Sequence, residues 1–328
     1  MRIALLGLGH VGLAFAQLAR REAGAEALAS ILVRRPDAER PPWALPLLTL
    51  DPEGVFESEP HVVVDALPGT EPSRRITGWA LERGIPVVSA NKSFVADLLA
   101  RSPGIPDRLW FEASVCGGLP LIETIRRGLA GDRVLRVRGI LNGTTNFILG
   151  AMEQGMDYPG ALREAQELGY AETDPSADVS GLDAARKLSI LVALAFAVHM
   201  DPAAVERHGI DGLDPARLPG AGRIKLVAEA RLHPGGRVLA SVRPQRLEPA
   251  DFLVRAEGAE NAVEIETACR GVLRFSGPGA GGLPTAASLW ADVAQAVGDR
   301  VARVRRLAPA AREDAASRVF GGDVPRRG

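Results

Sequence analysis

Uninterrupted apolar runs alternate with amphipathic stretches over the first third of the chain. Residues 2–6, 29–33, 61–67, 86–90 and 109–115 read as strands. Helical patterns fall between them, from the first glycine turn to about residue 21, over 72–83 and over 93–100. Strands that are apolar at every position must be covered on both faces, which implies a parallel sheet. The strand–helix–strand order predicts a doubly wound nucleotide-binding domain over residues 1–130. Residues 35–59, rich in proline, are the least regular part of it.

After about residue 131 the pattern changes. A strand is expected over 134–141, helices over 144–154 and 158–168, and a polar loop over 169–180. The stretch 182–198 is apolar nearly all round beyond its first turn, so it predicts a buried helix. Alternating segments at 223–231, 237–242, 262–268 and 272–276 then follow, punctuated by Pro234-Gly235-Gly236 and Arg270-Gly271. They predict antiparallel hairpins in a mixed α/β second domain over 131–282. A glycine loop at 277–282 leads to a helix over 285–297. That helix is expected to return to the first domain, which would reclaim about 283–328, with fraying beyond residue 307.

Composition narrows the function. Hydrophobic residues make up 46% and charged residues 24%, as in a folded domain, and the net charge of −1 offers nothing to a nucleic-acid backbone. Two cysteines, Cys116 and Cys269, cannot form a disulfide framework, which favours a reducing, cytoplasmic setting. The longest apolar run, 190–198, is far short of the roughly 20 residues of a membrane span. Residues 1–6 are too short for a secretory core. Only three of the 39 basic residues are lysines: Lys92, Lys187 and Lys225. Arginine serves wherever positive charge alone is needed, so these three are candidates for work that needs a compact, titratable ammonium.

Two motifs carry chemistry. Gly7-Leu8-Gly9-His10-Val11-Gly12 joins the first strand to the first helix. Its glycines permit a tight turn, close approach of a pyrophosphate, and helix-on-strand packing, while the helix N-terminus faces the diphosphate charge. After the second strand, where an acid would take ribose hydroxyls, the chain reads Val33-Arg34-Arg35. Arg34 there suits a 2′-phosphate, so NADP(H) is expected ahead of NAD(H). The second motif is Glu172…Asp178…Asp183…Lys187, with Asp183 and Lys187 on one helical face. A simple ion pair is the plain reading, but the helix turns apolar within a turn and the preceding loop is strongly acidic. That charge would match a small ligand bearing an α-amine.

In combination, the residues resemble the homoserine dehydrogenase family, in the short form without a C-terminal regulatory domain. The resemblance rests on Asn91-Lys92, the run from Glu112 to Pro120, Gly139 to Phe147, Gly169-Tyr170-Ala171-Glu172, Asp178 to Lys187, and residues 277–285. It implies a Rossmann domain joined to a catalytic and dimerisation domain, and a homodimer. It also implies NAD(P)-linked interconversion of L-homoserine and L-aspartate 4-semialdehyde, on the route to threonine and methionine. By motif, Lys187 matches the family's proton donor, Lys92 a lysine facing nicotinamide and substrate, and Asp183 and Glu172 substrate contacts. Tyr170 lies in the same substrate motif. Gly169 and Gly281 match cofactor contacts. Glu112, Val115, Gly117 and Leu119 match a monovalent-cation (sodium) site built largely from backbone carbonyls.

The chemistry of the residues is compatible. Aldehyde reduction needs a hydride and a proton for the developing alkoxide, and a lysine ammonium can both stabilise and protonate that oxygen. Asp183 would orient Lys187, Glu172 and Asp178 would hold the α-amine, and Gly143 and Thr144 at a helix start would bind the α-carboxylate. Either Lys187 or a water relayed by Lys92 could be the immediate donor. The five histidines lack metal-ligand spacing; His10 is expected to meet cofactor through its backbone only, and Cys116 to be a packed thiol. Lys225 reads as a solvated edge charge. A dinucleotide-binding sensor without catalysis and a related amino-acid-pathway reductase are the alternatives.

Overall fold

The computed structural model describes residues 1–102, 104–214 and 222–298. A parallel sheet of six strands forms first: β1 (Ile3–Leu6), β2 (Leu28–Leu32), β3 (Leu48–Thr49), β4 (Val62–Asp65), β5 (Val87–Ser89) and β6 (Leu109–Trp110). Their spatial order is β3-β2-β1-β4-β5-β6, all neighbours parallel. β1, β4 and β5 are buried at every position, because helices cover both faces. The order reverses direction between β1 and β4, where the carboxyl ends of the strands leave a crevice.

Helix α1 (His10–Ala23) follows β1, α2 (Glu71–Glu82) follows β4 and α3 (Lys92–Arg101) follows β5. The strand expected over 109–115 stops at Trp110. Residues Glu112–Ser114 form a 3-10 turn instead, since the Glu112 amide donates to the Asp292 carboxylate at 2.8 Å rather than to a strand. Helix α4 (Leu121–Glu123) continues as a wide turn through Gly128.

The second sheet holds β7 (Val134–Ile140), β8 (Glu206–Arg207), β9 (Arg223–Leu232), β10 (Val238–Leu247), β11 (Glu260–Thr267) and β12 (Gly271–Pro278). Its order is β12-β11-β7-β9-β10-β8, antiparallel except for β8 beside β10. Positive φ at Gly235 and Gly236 makes the β9–β10 turn, and Gly271 the β11–β12 turn, as the turn residues predicted. Leu239, Arg231, Arg136, Glu266 and Val272 stand in register along one face, while Ala230, Val137 and Ile265 line the buried one.

Helices α5 (Gly143–Glu153), α6 (Tyr158–Glu167), α7 (Ser176–Val179) and α8 (Leu182–Phe196) lie in the stretch between β7 and β8. α7 interrupts what the sequence offered as a plain polar loop. α8 ends two residues earlier than expected, at a left-handed Ala197. It packs on α3 of the first domain and on β7, β9 and β10 of the second sheet, so it is wedged between the two. Helix α9 (Gly282–Ala296) returns to the first domain and packs along α1, with Phe15 and Trp290 rings 6.5 Å apart. The chain expected to follow it, 299–328, lies outside the described residues. Among the described residues, no helix is long and apolar enough to cross a membrane.

Candidate active site

The glycine loop sits at the crevice between β1 and β4. Gly7 has φ +95°, and a side chain there would press on the Ala66 carbonyl at 2.8 Å. A Cβ at Gly12 would collide with the Gly7 carbonyl oxygen, whereas Gly9, at the cap of α1, faces open space. Leu8 and Val11 pack against the first domain's core. This is the cradle a diphosphate needs: glycine where backbone is crowded, and an open face at the N-terminus of a helix. The His10 ring does not stay clear of the fold, since its Nε2 approaches within 3.0 Å of the Cβ position of Gly282 at the start of α9. Gly281 caps that same helix with φ +109°.

Beyond β2, Arg34 and Arg35 are exposed. Arg40, unnoticed in the sequence, folds back instead: its guanidinium donates to the Leu8 carbonyl at 3.5 Å and the Arg35 carbonyl at 2.7 Å. Its Nε is buried without a partner. Arg40 therefore ties the arginine-bearing loop to the glycine loop.

Lys92 is placed by a buried polar network. Asp65, at the end of β4, accepts from the Leu67 amide and from the Ser73 and Ser89 hydroxyls, at 3.1, 3.0 and 2.8 Å. Burial pushes its carboxyl up to about 6 against those bonds. Asn91 donates to Ser73 Oγ at 2.7 Å and to the Gly69 carbonyl at 2.6 Å, and its Oδ1 caps α3 by accepting the Ser93 and Phe94 amides. The next residue is Lys92, whose Nζ lies 2.6 Å from Asp183 Oδ1.

Asp183 is the hub. Its Oδ2 is 2.8 Å from Lys187 Nζ and accepts from Asn142 Nδ2 at 2.9 Å. Lys187 also donates to the Leu141 carbonyl at 2.7 Å. Asp183 and Lys187 are 3% and 8% exposed, so the i,i+4 pair is not a surface decoration. Burial alone would raise the Asp183 carboxyl, but Lys187 and then Lys92 hold it well below the usual carboxylate range. Burial alone would lower Lys187, and Asp183 more than reverses it. The pair is charged at neutral pH, with the ammonium held by one carboxylate and one carbonyl.

Asn142 caps α5, accepting the Thr145 amide at 2.8 Å, and its Nδ2 also reaches Asp178 Oδ1 at 2.6 Å. Burial first, and Asp183 next, raise the Asp178 carboxyl. Sequence reasoning passed over Asn142 as a site residue although an Asn before a helix start is a cap signal. Thr144 spends its hydroxyl on the Tyr170 carbonyl at 2.5 Å, and the Tyr170 ring rests 5.1 Å from Phe147. The structure thus brings Lys92, Asn142, Asp178, Asp183 and Lys187 together, with Gly143 and Thr144 alongside. Glu172 and Gly169 are exposed on the connection between α6 and α7, and among the described residues no hydrogen bond or ion pair joins the Glu172 carboxylate to that cluster.

Cys116 is buried beside Lys187 and Asp183, and burial pushes its thiol up to about 12. It is a packed thiol, not a nucleophile. In the expected cation turn, the Glu112 carboxylate accepts the Ile122 and Glu123 amides, both at 2.8 Å, and so caps α4. The Gly117 carbonyl accepts the Ser288 hydroxyl at 2.6 Å and the Leu119 carbonyl the Leu121 amide at 2.9 Å. Val115 is wholly buried. The described residues include no group of three or more His, Cys, Asp or Glu able to hold a metal. A cation here would depend on the second lone pairs of carbonyl oxygens.

The family model described as homoserine dehydrogenase matches residues 120–294. A homoserine dehydrogenase of Mycobacterium tuberculosis is 41% identical over 321 residues, covering 91% of this chain and 73% of that protein. The chain belongs to the homoserine dehydrogenase family. Its members are NAD(P)-dependent oxidoreductases that act on a CH–OH group. The homoserine dehydrogenase of Bacillus subtilis is 34% identical over 314 residues, covering 89% of this chain and 72% of that one. The crystal structure of a homoserine dehydrogenase from Thiobacillus denitrificans superposes with a TM-score of 0.84 at 34% identity, over 94% of this chain and 76% of that one. A hyperthermophilic archaeal homoserine dehydrogenase in complex with NADPH superposes with a TM-score of 0.75 at 27% identity, over 90% and 97%. Family membership agrees with the doubly wound first sheet and the mixed second domain. One sequence expectation is overturned by the fold: Lys225 is no solvated edge charge. It is 1% exposed, on a strand that lies between β7 and β10 inside the sheet.

Proposed function

We propose that the chain is an NADP(H)-preferring homoserine dehydrogenase, interconverting L-homoserine and L-aspartate 4-semialdehyde. The observation that carries this reading is the Lys92–Asp183–Lys187 cluster where α8 meets α3, with Asp183 and Lys187 buried and Lys92 part-exposed. Gly7–Gly12 would hold the cofactor's diphosphate and Arg34 its 2′-phosphate, and the nicotinamide would supply or accept the hydride that the reaction transfers.

The chain's own residues supply the rest. The Lys187 ammonium stabilises the developing alkoxide and protonates it in the reducing direction. Asp183 keeps that ammonium charged and aimed, and Asn142 restrains Asp183. Lys92 closes the site from the cofactor side. Asp178 takes the substrate α-amine, with Glu172 and Tyr170 at the mouth of the site, and the amides of Gly143 and Thr144 receive the α-carboxylate. Gly169 and Gly281 border the cofactor. A sodium ion would be held by the carbonyl oxygens of Glu112, Val115, Gly117 and Leu119, with the Glu112 carboxylate left on α4.

A homodimer and a cytoplasmic setting belong to the same reading. The exposed face of the second sheet, where Leu239 and Val272 flank charged rows, is the surface offered for a second copy. The test is homoserine-dependent reduction of NADP⁺ followed at 340 nm. Activity that needs homoserine and vanishes in Lys187→Ala supports the proposal; cofactor binding without turnover in the unaltered protein refutes it.

A further inference from the structure

One lysine of the three is left unused by the reaction. Lys225 Nζ donates to Asn146 Oδ1 and to the Ala256 carbonyl, each at 2.7 Å. Asn146 Nδ2 in turn donates to the same Ala256 carbonyl at 3.2 Å and to the Gly258 carbonyl at 2.9 Å. The ammonium thus ties α5 to the segment between β10 and β11. Burial first, and Arg223 next, lower its pKa to about 8, opposed by Glu153 and Glu257. Even a neutral amine keeps two N–H groups for its two acceptors. Arginine's planar fork would not reproduce the single nitrogen that one carbonyl and one amide oxygen share here.

What this tie controls lies one turn away. Asn146 is in the first turn of α5, with Asn142, Gly143 and Thr144. A Cβ on Gly143 would collide with the Ala259 carbonyl oxygen, so the helix start is pressed on the segment that Lys225 holds. Asn142 then reaches Asp178 and Asp183. Every link is a direct contact between buried or half-buried groups.

We propose that Lys225 is a positioning residue for the reaction: by pinning Asn146 and residues 256–259 it fixes the first turn of α5, and with it the groups that receive the substrate's carboxylate and restrain Asp183. The proposal rests on the reading of that turn as the substrate site.

A cavity of about 590 Å³ is lined by Asn146, Phe147, Gly150, Glu257 and Lys225 itself, so a small amine is the probe for rescue of the lysine head group. Steady-state kinetics of Lys225→Ala and Lys225→Met test the role. Homoserine KM should rise about tenfold, as for the loss of a charged hydrogen bond that aligns a binding turn, with NADP⁺ KM unchanged. Added n-butylammonium chloride should lower the homoserine KM of Lys225→Ala while leaving the unaltered enzyme alone. Unchanged homoserine KM, or a uniform loss of all constants that the amine does not reverse, overturns the proposal. Should neither variant fold, Asn146→Ser is read by the same homoserine-specific rise in KM. Homoserine oxidation by the unaltered enzyme tests the site reading separately: an active enzyme indifferent to Lys225 sinks only the positioning role.

Discussion

Lys92 Nζ and Asp183 Oδ1 are 2.6 Å apart, although one opens a helix of the dinucleotide domain and the other lies in the first turn of the buried helix of the second domain. The carboxylate they share also holds Lys187, so one side chain couples cofactor side, substrate side and domain packing. Removing Asp183 would strand two ammonium groups, one of them buried, which is the costly way to break such a network.

Lys187→Ala should lower kcat by roughly 10²–10⁴-fold, the usual contribution of a positioned proton donor. NADPH binding, followed by the cofactor's fluorescence, should persist because the glycine loop is untouched. Near-normal turnover in this variant would remove Lys187 from the chemistry.

Asp183 contributes to stability in a defined pH window. Its carboxyl is held below its unfolded value near 3.9, so the contribution is full above that pH and fades as pH falls below it. Thermal melts of the unaltered protein and Asp183→Asn should differ by a constant amount near neutrality, with the gap narrowing below about pH 4. A gap that widens in acid would contradict the ion-paired state.

Asp292 works in the opposite sense. Burial pushes its carboxyl up to about 8, with Glu112 and Glu123 adding to the effect and the Glu112 amide opposing it. Stability tied to its neutral form is complete below about pH 4 and is lost as pH climbs toward 8. Asp292→Asn keeps an acceptor for the Glu112 amide without the charge, so its melting temperature should gain on the unaltered protein between those values. A difference independent of pH would show that Asp292 is already charged at low cost.

Arg34→Asp should reduce the ratio of NADPH to NADH catalytic efficiencies by about tenfold or more, the worth of one charge-assisted contact to phosphate. Arg40→Ala should impair both cofactors, because Arg40 braces the loop against the Leu8 carbonyl. Equal effects of Arg34→Asp on both cofactors would dismiss 2′-phosphate recognition by Arg34.

The two thiols provide an independent check on the buried site. Cys269 is exposed and Cys116 buried with a raised pKa, so a disulfide reagent at neutral pH should titrate one thiol per folded chain. The second should appear only on unfolding; rapid reaction of both would place Cys116 in the open.

Some of this was written in local sequence. The glycine loop follows its strand at residue 7 because tight turns and helix starts are fixed by neighbours a few residues apart. Asp183 and Lys187 met because four residues make about one helical turn. Chain folding alone decided the rest. Lys225 looked like a surface residue until β9 took an interior place between β7 and β10, an order set by contacts far apart in sequence. Arg40 folds back on a carbonyl 32 residues earlier, Asn142 reaches carboxylates 36 and 41 residues on, and Lys92 crosses between domains. Short-range periodicity encodes which face of an element is apolar, but not which distant element will cover it, and burial is what turns an ordinary lysine into a placed one.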